Sequence, residues 1–149
     1  MKTHTNIIQA RLALTMVLFS ICITTGLAKP EQVAAYAASI PKPTLSEVAY
    51  GQHQRHVLDF WKAASDQPTP LVFVIHGGGW RNGSKERLNR FVNAAALLKE
   101  GSSVVDINDR YGRQAQNRKP PGKAQLYDAA RALQVVRSKA AEWNIDKTR

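Results

Sequence analysis

The sequence is poor in the residues that would mark several common classes of function. Its one cysteine, Cys22, excludes a disulfide framework. Acidic residues number 11 against 21 basic ones, a formal charge of +10, yet the basic residues are scattered and have no aromatic residues interleaved with them. We therefore expect a solvated basic surface and no nucleic-acid partner. His53, His56 and His76 lack a partner set with metal-ligand spacing, and no Lys-Ser/Thr pair follows the glycines, so we expect no metal and no cofactor.

The first segment has the features of an export signal. Lys2 and Arg11 supply positive charge, and residues 12–23 form a mostly apolar run that is short for a bilayer span. Small residues stand at the two positions that a signal peptidase recognises if it cuts after Ala28. The sequence thus predicts a signal peptide over 1–28, a secreted or periplasmic protein and no stable membrane span. The alternative is an uncleaved membrane anchor.

The following residues favour a lead-in linker and then strands. Residues 29–44 contain three prolines and predict a linker, after which the folded domain is expected over 45–149. Residues 45–50 and 56–62 are strand candidates joined by a hairpin connection. Residues 71–75 are apolar throughout and do not alternate, which is typical of a parallel strand buried on both faces.

Two amphipathic helices and one more strand complete the pattern. We predict one helix from a cap at Ser84 to a stop at Gly101, a strand over 103–107, a polar loop over 108–123 and a second helix. The residues expected on the buried face of the first helix are Leu88, Phe91, Val92, Ala95 and Leu98. Those expected on the buried face of the second are Leu126, Ala129, Ala130, Leu133, Val136 and Ala140. This order of elements predicts an α/β layer fold.

The apolar strand runs directly into a run of glycines, His76-Gly77-Gly78-Gly79-Trp80. Adjacent glycines offer backbone N–H groups without side chains in the way, and such donors suit an oxyanion that develops during acyl transfer. The alternative is a tight turn between a strand and a helix. Three successive glycines exceed what a turn needs, and each costs backbone entropy.

Several segments in register carry a resemblance to a known family. They are Glu47–Lys62 with Leu58-Asp59-Phe60-Trp61, the strand that ends in His76–Trp80, Gly83-Ser84-Lys85, the strand 103–107 with Asn108 and Arg110-Tyr111, the helix Tyr127–Leu133, and Trp143–Asp146. Residues 46–149 resemble the N-terminal half of an α/β-hydrolase of the lipase/esterase type with a His-Gly-Gly-Gly-Trp motif. The resemblance implies an α/β fold of about four strands with flanking helices, in the spatial order 1-2-4-3, that ends before the nucleophile strand. It also implies carboxylic-ester hydrolysis, with a small-molecule ester as the substrate of a full-length form.

The resemblance assigns roles to the residues of the glycine motif. Gly78 and Gly79 correspond to the backbone donors of the oxyanion hole, and Gly77 shapes the loop. His76 is expected to orient the loop by hydrogen bonding, because the catalytic histidine of such enzymes follows the serine. Trp80 either lines the pocket or packs over the sheet.

The catalytic triad itself is missing from the sequence. No Gly-x-Ser-x-Gly motif occurs among the 149 residues. We expect a fragment that carries the oxyanion loop and is inactive alone. The alternative is a non-catalytic binding protein that pairs, with itself or with another chain, through the edge of strand 71–75, which the resemblance leaves unpaired.

The remaining polar residues are expected to be structural. Asp128 is interpreted as a complement to a helix dipole, and His53 and His56 as solvent-exposed hairpin residues. The family usually has an aromatic residue where this chain has Asp109. The residues rejected as triad acids are Asp59, Asp106, Asp109 and Asp128.

Overall fold

The computed structural model describes residues 39–115 and 120–149. The predicted signal peptide and most of the predicted linker lie outside the described residues, and both stay predictions. The described strands are β1 (Leu45–Ala49), β2 (Val57–Trp61), β3 (Leu71–Ile75) and β4 (Ser103–Ile107). They form one sheet in the order β1-β2-β4-β3 with helices on both faces, so the predicted partial α/β-hydrolase fold is confirmed.

The sheet is mixed, and its pairing follows the character of each strand. β3 pairs in parallel with β4, from Leu71 opposite Ser103 to Ile75 opposite Ile107, as the unbroken apolar run predicts. β2 pairs antiparallel with β4 and with β1. The register of the β1–β2 pair shifts between Leu45 and Val48.

Two clusters of apolar side chains cover the two faces of the sheet. On one face, α2 (Lys123–Ser138) and α3 (Ala140–Trp143) pack on β2 and β4, and Trp143 stacks on Phe60 with ring centroids 4.7 Å apart. On the other face, Leu88 and α1 (Ala94–Lys99) cover Val74 and Val104. Burial on both faces explains why β4 has no exposed residue.

The first helix is not the continuous element that the sequence predicts. A 3₁₀ segment, Lys85–Arg90, comes first, and α1 begins only after Asn93, whose side chain accepts a hydrogen bond from the Ala96 amide. Ser84 makes no capping hydrogen bond to the backbone. Asn93 has extended backbone angles, φ −88° and ψ 92°, which interrupt a helix, and its side chain supplies an acceptor for the first turn of α1. Phe91, predicted to be buried, is therefore 47% exposed.

The second helix buries a different face from the predicted one. Its buried residues are Ala124, Gln125, Asp128, Ala132 and Val136. Leu126 and Leu133 are exposed, contrary to prediction, whereas Val136 is buried as expected. The helix is turned in this way because Gln125 and Asp128 have polar partners inside the protein, which the apolar pattern cannot reveal.

β3 lies at the edge of the described sheet, as the resemblance predicts. The start of this edge is partly covered, because the Leu71 amide donates to the Arg149 carbonyl at 3.2 Å and Thr69 bridges to Ile145. The far end is open, and Ile75 is 48% exposed. Within 39–115 and 120–149, the helices are all too short or too polar to cross a membrane.

Candidate functional site

The glycine motif forms the turn that follows β3. Gly78 has φ +131° and Gly79 has φ +59°, backbone conformations that other residues seldom adopt. A Cβ at position 78 would lie 2.0 Å from the carbonyl oxygen of Asn82, so only glycine fits there. The Gly78 carbonyl accepts hydrogen bonds from the amides of Arg81 at 3.1 Å and Asn82 at 3.4 Å, which close the turn.

The amides of Gly78 and Gly79 are the groups to which the resemblance assigns the role of oxyanion donors. Among the described residues, neither amide donates a hydrogen bond to a protein acceptor. Both residues are exposed, so their N–H groups are open to solvent and to an incoming oxygen atom.

A cleft of about 740 Å³ adjoins the turn. It is lined by 79–81, by residues of the turn 112–115 and by 121–125. Trp80 is 52% exposed there, and its ring lies close enough to Gly122 that a Cβ at 122 would be 2.8 Å from it. The Trp80 side chain therefore lies at the wall of this cleft.

His76 lies behind the turn with 9% of its surface exposed. Its Nδ1 is 2.9 Å from the Gly77 carbonyl oxygen, so Nδ1 carries the proton and donates it to that oxygen. Its Nε2 is 3.2 Å from a carboxylate oxygen of Asp109. Burial lowers the pKa of His76, but the hydrogen bonds to Asp109 and Gly77 outweigh burial and raise it. Asp109, the residue that departs from the family pattern, is thus the charge partner of His76.

Arg55 links this turn to two other parts of the chain. Its Nε donates to the Asp109 carbonyl oxygen at 2.6 Å, and its Nη2 donates to the Gly83 carbonyl oxygen at 3.0 Å. Nη2 also lies 3.2 Å from Nε2 of His76, which accepts this bond when the ring is neutral. The guanidinium is 3.9 Å from the ring centroid of Tyr111. No pattern in the sequence around the hairpin signals this role, because all these contacts are long-range.

A second polar cluster corrects two sequence-based interpretations. Asp128 is 1% exposed and accepts two hydrogen bonds from the Arg110 guanidinium, at 2.9 and 2.7 Å. Burial raises the pKa of Asp128, but the bonds from Arg110 outweigh it and lower the pKa. His56 is 6% exposed, with Nε2 3.0 Å from Asp128. Asp128 is therefore the buried partner of Arg110 in an ion pair, not a helix-dipole residue, and His56 is not solvent-exposed.

Two buried ionisable groups lie on the face of the sheet that α1 covers. Lys85 is 4% exposed and pairs with Asp59 at 2.9 Å, Glu86 at 3.2 Å and Glu47. Asp106 is fully buried, and neither of its carboxylate oxygens has a hydrogen-bond partner among the described residues. Burial raises the pKa of Asp106 to about 8.

Comparisons with known proteins agree with the fold. The BD-FAE family model matches residues 58–149. Similar solved structures include a bifunctional GH43-CE protein from Bacteroides eggerthii (28% identity, 70% of this chain, 14% of that chain, TM-score 0.58) and a truncated carbohydrate esterase from gut microbiota (27%, 74%, 38%, 0.59). Esterase B from Lactobacillus rhamnosis (23%, 78%, 38%, 0.59) shares the fold. This chain therefore spans well under half of each of them, and no curated protein matches it.

Proposed function

The chain belongs to the BD-FAE family, an esterase family of the α/β-hydrolase type, and we propose that it supplies the oxyanion-binding part of a carboxylic-ester hydrolase site. In this proposal the amides of Gly78 and Gly79 donate to the oxygen that becomes negatively charged when an ester carbonyl is attacked. One of the similar proteins is a carbohydrate esterase, and we extend its substrate class, esters of carbohydrates, to this site.

One observation carries the proposal: among the described residues neither of two neighbouring amides has a protein acceptor, and Gly79 lines a cleft. The residues behind the turn support it. His76 donates to the Gly77 carbonyl, and Arg55 holds the Gly83 carbonyl, so the two ends of the turn are fixed from the protein side. Preorganised donors of this kind stabilise a transition state because they need no reorganisation during the reaction. Gly77 shapes the turn, and Trp80 supplies an apolar wall.

The experiment that tests the donors is a titration of the chain with butyrate, a product of ester hydrolysis, followed through amide chemical shifts. We expect the Gly78 and Gly79 amide resonances to move together with increasing butyrate. The Gly101 amide is the internal control, since it already donates to the Leu98 carbonyl at 3.1 Å. Shifts that are no larger at Gly78 and Gly79 than at Gly101 would contradict the proposal.

Ester hydrolysis needs more than these donors. A serine nucleophile, a histidine base and an acid are also required, and these 149 residues contain no Gly-x-Ser-x-Gly motif. We propose that this polypeptide does not hydrolyse esters alone and that the nucleophile comes from residues outside it. The purified chain should release no more p-nitrophenol from p-nitrophenyl acetate than a heat-unfolded sample does. Saturable turnover would show that another serine of this chain serves.

Export is the second part of the proposal. The charged and apolar pattern of the first 28 residues supports a cleaved signal and a secreted or periplasmic location. N-terminal sequencing of the protein recovered outside the cytoplasm should begin at Lys29. Recovery of the uncleaved chain in the membrane fraction would support the anchor instead.

The position of β3 favours a second candidate function, a binding protein that pairs through its sheet edge. The open end of the strand exposes Ile75, and an unpaired edge is a template for strand addition. Light scattering after size exclusion should then show a dimer whose fraction falls in Ile75→Lys. Lys62→Glu, on the β2 side of the sheet, is the control. A monomer at all concentrations excludes self-pairing.

A further inference from the structure

The cleft beside Gly79 has an unusual distribution of charge. Three of its lining side chains are cationic, Arg81, Arg113 and Lys123, and none of the lining residues in the described part of the chain is acidic. The exposed ring of Trp80 forms an apolar wall next to them. The cleft therefore joins positive charge to an aromatic surface, directly beside the turn that carries the proposed oxyanion donors.

These cations differ from the buried ones of the same protein. Lys85 and Arg110 are each matched by carboxylates at hydrogen-bond distance. By contrast, neither Arg81 nor Lys123 forms an ion pair with any residue that the structure describes. Arg81 and Lys123 therefore leave positive charge in the cleft that no described carboxylate neutralises.

Two of the cleft cations, Arg113 and Lys123, lie against aromatic rings of the same protein. The Arg113 Nη1 donates to the Arg81 carbonyl oxygen at 3.0 Å, and its guanidinium is 4.5 Å from the ring centroid of Tyr111. The Lys123 ammonium is 5.7 Å from the ring centroid of Tyr127, at the first residue of α2. Positive charge at the beginning of a helix is unfavourable for that helix, because the helix N-terminus is itself positive. A bound anion would remove this cost.

We propose that the cleft binds a carboxylate carried by the substrate, and that the substrate class is an ester of an acidic sugar. This inference rests on the proposed ester hydrolysis and specifies which esters the site prefers. The guanidinium of Arg81 offers a planar pair of donors that matches a carboxylate, and Lys123 adds a point charge. The ring of Trp80 provides the flat apolar surface on which the C–H face of a sugar packs.

The test compares two sugars that differ at one carbon atom. D-Glucuronate carries a carboxylate where D-glucose carries a hydroxymethyl group, and both are titrated into the full chain while amide shifts of the cleft residues are followed. We expect glucuronate to bind about tenfold more tightly than glucose, the factor that one charge-assisted hydrogen bond supplies. Binding of glucuronate should weaken as salt rises. Equal affinity for the two sugars, or no binding of either, would overturn the inference.

Matched variants separate the cleft from the general surface charge. Arg81→Gln and Lys123→Gln should each weaken glucuronate binding about fivefold and leave glucose binding unchanged. Arg131→Gln, which removes an exposed charge of α2 outside the cleft, is the control and should change neither. An equal loss in Arg131→Gln would show that only net charge matters. Inorganic phosphate that binds as tightly as glucuronate would show a general anion site and would also overturn the inference.

The oxyanion proposal and the acidic-sugar inference fail in different ways. If butyrate shifts the Gly78 and Gly79 amides but the cleft does not prefer glucuronate, the ester-hydrolase proposal stands and the acidic-sugar inference falls. If glucuronate binds and butyrate leaves both amides unmoved, the cleft binds acidic sugars without the proposed oxyanion donors.

Discussion

Asp106 gives the sharpest prediction about stability. Its carboxylate is fully buried in β4 without a hydrogen-bond partner among the described residues, and burial raises its pKa to about 8. The carboxylate of an unfolded chain titrates near pH 4. Between these two values the folded protein holds a proton that the unfolded chain has released. The free energy of unfolding therefore falls as the pH rises through this range.

The magnitude follows from one proton. A difference of one bound proton changes the free energy of unfolding by about 1.4 kcal/mol per pH unit. Between about pH 5 and about pH 7, Asp106 should remove about 3 kcal/mol of stability. His76, whose pKa is also raised, acts in the same direction, since its stabilising charge is lost as the pH rises through its folded pKa. A substitution at 106 alone separates the two contributions.

The variant is Asp106→Asn, which keeps the shape of the side chain and removes its titration. Urea unfolding followed by tryptophan fluorescence, at several values between about pH 5 and about pH 7, measures the free energy of unfolding. The difference between the variant and the parent protein should grow by about 3 kcal/mol over this range. Asp66→Asn, at an exposed turn, is the control and should change little. A difference that stays constant with pH would refute the reasoning.

Three further predictions concern the turn and the polar clusters. Gly78→Ala should lower the free energy of unfolding by about 3 kcal/mol, because the new Cβ would clash with the Asn82 carbonyl. Gly79→Ala has open space around its Cβ and should lower the free energy of unfolding by less in the same urea experiment. Arg55→Lys should lower the free energy of unfolding by about 2 kcal/mol and broaden the Gly78 and Gly79 amide resonances. The reason is that an ammonium lacks the planar set of donors with which the guanidinium bridges two carbonyls. Unchanged spectra would contradict this. Asp128→Asn should lower the free energy of unfolding by about 3 kcal/mol, because it leaves Arg110 without its carboxylate. An effect as small as that of Glu142→Gln, which disrupts an exposed pair, would argue against a buried ion pair between Asp128 and Arg110.

The sequence correctly predicted the strands that consist mainly of strand-forming residues. β3 and β4 have the predicted bounds, because both are short runs made mostly of apolar, β-branched or aromatic residues. The parallel pairing and the strand order also agree with the prediction. The esterase family is confirmed as well, since it depended on several motifs in register and not on one residue.

Where the prediction failed, polar partners decided the structure. The first helix is broken because Asn93 caps a new one, and the second buries Asp128 because Arg110 neutralises it. The spacing of apolar residues reveals neither of these polar contacts. Arg55 was missed for the same reason: its partners are far away in the sequence, and only the folded chain brings them together. The roles of Gly78 and Gly79 stay predictions.

The most direct test of the central claim is an experimental structure of the chain with bound butyrate. If Gly78 and Gly79 are oxyanion donors, one carboxylate oxygen should lie about 3 Å from both amide nitrogens, with the rest of the molecule in the cleft. A structure in which both amides instead donate to carbonyl oxygens of the protein, with butyrate elsewhere, would contradict the account.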